Sequence, residues 1–113
     1  MQFTLLTITV LSALLTRGSA KSCNADECVS YYHGANCQNT GFISNFVPTC
    51  GGNCFQFDSF DSLLVEGNGI LGTDCHAYSD ANCESEIEDS GNIVSSRCVN
   101  TQGAKSMKCF YNC

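Results

Sequence analysis

The chain has 113 residues, ten of them cysteine, no tryptophan, and a formal net charge of −6. Eleven Asp and Glu against five Lys and Arg exclude the basic footprint on which binding to nucleic acid or an anionic membrane rests. At this length one domain is expected, with a core too small to dispense with covalent staples.

The first element is an apolar run from Leu5 to Leu15, followed by Arg17-Gly18-Ser19-Ala20. The run is shorter than the ~20 residues that a bilayer-spanning helix needs. With small residues before a cut after Ala20, it reads as a secretory signal peptide over residues 1–20. No later segment is long and apolar enough to span a membrane. The remaining 93 residues, 21–113, form the expected single domain and keep four basic residues against eleven acidic ones, a charge of −7.

Lys21 to Glu27 is polar and reads as an arm pinned by Cys23. Val29–Tyr32 reads as a strand and His33–Asn36 as a turn. Phe42, Ile43, Phe46 and Val47 give a second apolar stretch that Pro48 ends. Gly51-Gly52 marks a turn between Cys50 and Cys54, and Phe55-Gln56-Phe57 alternates as a half-buried strand does. Leu63–Val65 is the most apolar strand. Glu84 to Asp89 reads as a solvated acidic edge that discourages strand addition, with a surface for a cation or a basic partner as the alternative. Ile93-Val94 and Arg97–Val99 read as strand, Asn100–Gly103 as a turn, and Met107–Cys113 as the closing strand. Short strands, frequent turn signals and no helical stretch predict an all-β domain.

Cys23, Cys28, Cys37, Cys50, Cys54, Cys75, Cys83, Cys98, Cys109 and Cys113 form an even set in a short secreted chain, the signature of a disulfide framework. Metal binding is the competing use, but no C-x-x-C pair occurs and the gaps are irregular. Five disulfides are therefore expected, with the pairing open.

A short phrase occurs twice. Cys28-Val29-Ser30-Tyr31 leads to Ala35-Asn36-Cys37, and Cys75-His76-Ala77-Tyr78 leads to Ala81-Asn82-Cys83. The copies are 47 positions apart at the first cysteine and 46 at the last, which implies one residue gained or lost between them. The repeat predicts two copies of one small β unit packed on each other.

The phrase resembles the Greek-key motif of the βγ-crystallins, which opens with an aromatic residue, a polar turn and an Asn beside a bulky residue, as in Tyr78-Ser79-Asp80-Ala81-Asn82-Cys83. Cys37 and Cys83 stand where that family has an aromatic residue, and Asn39 and Ser85 where it has glycine. The family's Ser-rich corner is matched by Asp61-Ser62 in the first copy and by Ser95-Ser96 in the second. The resemblance implies a small Greek-key sandwich of two motifs. It also implies a calcium pattern, which Gly91-Asn92-Ile93-Val94-Ser95-Ser96 meets except at its first position, so that Asn92, Ser95 and Ser96 are the candidate calcium residues. Calcium wants six to eight oxygens, and a turn with Ser side chains bonding backbone is the simpler reading.

Other candidate sites are sparse. His33 and His76 fall at unmatched places in the two copies, which argues against a symmetric metal pair. No G-x-S-x-G or H-E-x-x-H occurs, and oxidised cysteines are not nucleophiles; no catalytic residue, cofactor or enzyme activity is expected. Tyr31 and Tyr32 are adjacent, so on a strand they face opposite sides and one could be exposed. In kind the chain is similar to the small secreted cysteine-rich proteins of filamentous fungi. That resemblance implies an extracellular, monomeric, non-enzymatic effector engaging a host or microbial protein or glycan. An antimicrobial or killer-type toxin and a secreted inhibitor or carbohydrate-binding module are the alternatives.

Overall fold

A computed structural model describes residues 23–113; the expected signal segment, residues 1–20, lies outside them. The described residues form six strands: β1 (Cys28–Tyr32), β2 (Phe42–Phe46), β3 (Phe55–Glu66), β4 (Thr73–Tyr78), β5 (Glu86–Ile93) and β6 (Ser96–Tyr111). A 3-10 turn over Asn39–Gly41 precedes β2. The strands make one antiparallel sheet in the order β2-β1-β3-β6-β4-β5. Among the described residues no helix is long and apolar enough to cross a membrane.

That order reads the same from either end once β1, β2 and β3 are matched with β4, β5 and β6. The central pairing obeys the same rule. Phe55 faces Met107 while Leu63 faces Val99, and Gln56 faces Ser106 while Ser62 faces Asn100, about a central Phe60–Ala104 pair. Each β3 residue thus corresponds to the β6 residue 44 positions on.

The core gathers Val29, Tyr31, Phe60, Leu63, Val65, Cys75, Ala77, Val99, Ala104, Met107 and Cys109. Their alternation along β1, β4 and the later part of β6 is the period-two pattern of a half-buried strand. The two ends are filled differently. Beside β1 and β3 an aromatic cluster packs, with the Tyr31 and Phe57 ring centroids 4.2 Å apart and those of Phe46 and Phe55 4.3 Å apart. Beside β4 and β6 the Cys75–Cys109 disulfide crosses paired strands at the place that Val29 and Val65 occupy in the first half. The smaller Ala77 stands where Tyr31 stands, and Met107, of about the same size, where Leu63 stands.

All ten cysteines are paired, as Cys23–Cys28, Cys37–Cys98, Cys50–Cys113, Cys54–Cys83 and Cys75–Cys109, and none is free. Two of these bridges match each other, Cys98 lying 44 positions after Cys54 and Cys83 lying 46 after Cys37. Cys37, after β1, is tied to Cys98 in β6; Cys83, after β4, is tied to Cys54, which precedes β3.

Several expectations are corrected. The sequence leaves both Tyr31 and Tyr32 open as the match to Tyr78. Tyr32 faces Ser62 across the β1–β3 pair and Tyr78 faces Ser106 across β4–β6, so the match is Tyr32 and the Cys-x-x-Tyr spacing is off by one. Within the phrase, from Cys28 to Cys37, the offset is 46, no residue is gained or lost there, and Cys28 matches Asp74 rather than Cys75. A one-residue slip would have moved every side chain to the other face. Both Tyr31 and Tyr32 are buried, because Tyr32 turns its ring edge onto Phe42 at 5.8 Å while Tyr31 enters the aromatic cluster. Asn100–Gly103 is no chain-reversing turn: β6 runs through it, bending where Gln102 and Gly103 take φ of 52° and 81°. Within Leu63–Val65, Leu63 and Val65 are buried, but Leu64 is only partly so.

Candidate functional site

The two Ala-Asn-Cys turns are built alike. Cys37 and Cys83 both have left-handed backbone, with φ of 53° and 57°. The Cys37 N–H donates to Ser62 Oγ at 3.0 Å, and that hydroxyl donates to the Gly34 carbonyl at 2.8 Å. The Cys83 N–H donates to Ser106 Oγ at 3.1 Å, and that hydroxyl donates to the Asp80 carbonyl at 2.5 Å. The asparagines match too: Asn36 Oδ1 accepts from Asn100 Nδ2 at 3.2 Å, and Asn82 Oδ1 accepts from Gln56 Nε2 at 3.4 Å. The serine that mirrors Ser62 is therefore Ser106, and not Ser95 or Ser96 as the sequence suggested. Each repeated turn is pinned by its hydroxyl, amide and disulfide contacts to long central strands.

Where the first turn has Gly34, the second has Asp80. Its carboxylate accepts from the N–H groups of Ser85 (2.8 Å), Asn82 (2.9 Å) and Glu84 (3.1 Å). Those hydrogen bonds, the one from Ser85 foremost, hold Asp80 below the usual carboxylate range. Asp80 is thus a turn-organising group.

The second half also carries a charged cluster on the sheet face opposite the core. Asp74 and His76 flank the buried Cys75 and so point away from it. β5 brings its acids to them through two irregularities. Asp74 faces Asn92 while His76 faces Asp89, so β5 spends one residue more than β4 over that span, at Ser90-Gly91, where Gly91 takes φ 70°. Ser90 fills the extra position by accepting from the Cys75 N–H at 2.9 Å. A second shift lies between Ala77 and Tyr78, opposite Glu88 and Glu86. Bulges of this kind re-aim side chains. β1 and β2 have a register shift only at the matching Tyr31/Tyr32 step.

The result surrounds one imidazole with carboxylates. His76 Nδ1 lies 3.0 Å from Glu86 Oε1 and 3.8 Å from Asp89 Oδ2, and Nε2 lies 3.4 Å from Asp74 Oδ1. Asp74, His76 and Asp89 each offer one donor atom, all within 4.8 Å of one another. Burial pushes the Asp74 carboxyl above its ordinary range; the His76 charge opposes this and the adjoining Asp89 adds to it. Asp89 is held low, chiefly by the Gly91 N–H at 2.8 Å. The Phe110 ring stands edge-on to His76, with centroids 6.1 Å apart.

The sequence-predicted sites fall elsewhere or only in part here. Asn92 packs its side chain against Gly72, where a Cβ would overlap it, and the Ser95 carbonyl accepts from the Gly67 N–H at 2.9 Å. His33 is exposed in the first turn, its N–H donating to the Gly41 carbonyl at 2.8 Å. Of the acidic run, Glu84 and Glu88 stay on the exposed rim, while Glu86 and Asp89 turn toward His76. Asp74 was not singled out from sequence; its i, i+2 spacing from His76 on a strand was the available signal. No protein family, curated protein or solved structure matches the chain.

Proposed function

We propose that this chain is a secreted, non-enzymatic, fungal effector-type protein that acts outside the producing cell on a host or microbial protein or glycan. The observation that carries the reading is the closure of all ten cysteines into five disulfides on a small all-β scaffold. Such frameworks form and persist in oxidising, extracellular surroundings. The acidic surface favours a basic or neutral partner over an anionic one.

The scaffold we read as two copies of one Greek-key unit in the manner of the βγ-crystallins. What supports this is the matching of Ser62 with Ser106, Cys37 with Cys83 and Tyr32 with Tyr78, with one register relating β3 to β6. The register breaks beside Phe60 are where each long strand would pass from one layer of a sandwich to the other.

The test expresses the full chain in a secreting eukaryotic host and captures partners from extracellular fluid of a challenged host tissue with the purified product. The reading expects material beginning at Lys21 in the medium and saturable recovery of a defined host protein or glycan. Retention of the chain inside the cell would overturn secretion. Growth inhibition of fungi or bacteria with no host component captured would replace the effector reading with a toxin.

A further inference from the structure

We propose that Asp74, His76 and Asp89 bind a divalent transition-metal cation of the zinc class on the outer face of the β4–β5–β6 part of the sheet, with Glu86 orienting the imidazole. The donor set is one nitrogen and several carboxylate oxygens, within 4.8 Å of one another. That mixture suits a borderline cation such as zinc, whereas calcium wants oxygen alone and more of it.

Three features distinguish this group from an ordinary acidic rim. First, Asp74 Oδ1 is itself shut off from solvent, although the side chain is 38% exposed, and no N–H group donates to it: His76 Nε2 stands 3.4 Å away and the Asp89 carboxylate adjoins it. A buried carboxylate oxygen without a partner is costly, and a bound cation supplies one. Second, the histidine is prepared. Nδ1 lies 3.0 Å from Glu86 Oε1 and Nε2 lies 3.4 Å from Asp74 Oδ1, so an imidazole that donates from Nδ1 to Glu86 turns its Nε2 lone pair toward Asp74. A carboxylate behind the imidazole is the usual way a ligating histidine is held in one tautomer. Third, the charge is uncompensated. Three carboxylates converge on one imidazole, and among the described residues no Lys or Arg pairs with them. Lys108, the β6 neighbour of His76 in register, makes no ion pair with them.

The place in the fold fits. The bulge at Ser90-Gly91 carries Asp89 to the cluster and has no counterpart in β2. The positions matching Asp74 and His76 in the first half are Cys28 and Ser30, which build no such group. The cation site is thus a property of the second half alone. It stands apart from the proposed extracellular role and does not depend on it.

Isothermal titration of the untagged secreted protein with zinc chloride tests the site. One zinc per chain is expected, with a micromolar or tighter dissociation constant, and calcium binding at least a hundredfold weaker. His76→Gln and Asp89→Asn should each weaken zinc at least tenfold, while Glu86→Gln should weaken it about tenfold through the lost orientation. His33→Gln should leave it unchanged. The His76 imidazole resonances should shift at stoichiometric zinc, and saturating zinc should raise the thermal midpoint of the parent but not of His76→Gln. Circular dichroism of each variant checks that the fold is kept. No saturable binding at millimolar zinc, unaltered binding by folded His76→Gln, or equal loss in His33→Gln would each overturn the assignment.

Discussion

Ser106 Oγ holds Cys83 in place: it accepts from the Cys83 N–H at 3.1 Å and donates to the Asp80 carbonyl at 2.5 Å, with Ser106 fully buried. Removing the hydroxyl leaves two backbone groups without partners. Ser106→Ala should therefore cost about 1–3 kcal/mol, and Ser62→Ala a similar amount. Chemical denaturation of the two variants checks this; a loss under about 0.5 kcal/mol at both would mean that the hydroxyls do not anchor the turns.

Peptide mapping without reduction should recover Cys37 joined to Cys98 and Cys54 joined to Cys83. Replacing both members of either bridge by serine should cost about 2–5 kcal/mol. Recovery of a Cys50–Cys54 peptide would contradict the pairing described.

Leu63 is 1% exposed in the core, so Leu63→Ala should cost about 2–5 kcal/mol. Glu88 stands exposed on edge strand β5, and Glu88→Ala should change stability by less than about 0.5 kcal/mol. Equal losses at the two sites would be incompatible with the sheet order.

Acid should act through Asp80. Its folded pKa lies below the unfolded one, so its contribution is present above the unfolded carboxylate range and is lost as pH falls through the folded value. Thermal scans from neutral to strongly acidic pH should show the parent losing more stability than Asp80→Asn across that window. Parallel curves for the two proteins would refute the assignment.

Cysteine content and strand-like patterning made the all-β, five-bridge scaffold legible in the sequence. The Ala-Asn-Cys phrase also marked two turns whose asparagine and cysteine make similar contacts. The Cys-x-x-Tyr half of the phrase misled by one residue: Tyr31 and Tyr32 offer two candidate matches, and identity alone cannot choose a face. Ser106 was hidden because Ser95-Ser96 imitates the Asp61-Ser62 corner locally, while the contact that defines the corner comes from a turn 23 residues away. The His76 cluster was hidden for a related reason. Asp74 and Asp89 are brought together by the pairing of β4 with β5 and by a bulge, neither of which leaves a local pattern.

The crossed bridges have a consequence for proteolysis. A protease that cut the exposed Gly69-Ile70-Leu71 loop would separate the backbone into two pieces. Three disulfides, Cys37–Cys98, Cys50–Cys113 and Cys54–Cys83, span that cut. The clipped protein would keep its sheet pairings and run as one band on a non-reducing gel, and as two only after reduction. In a protease-rich medium, a nick at that tip would be a scar and not an inactivation.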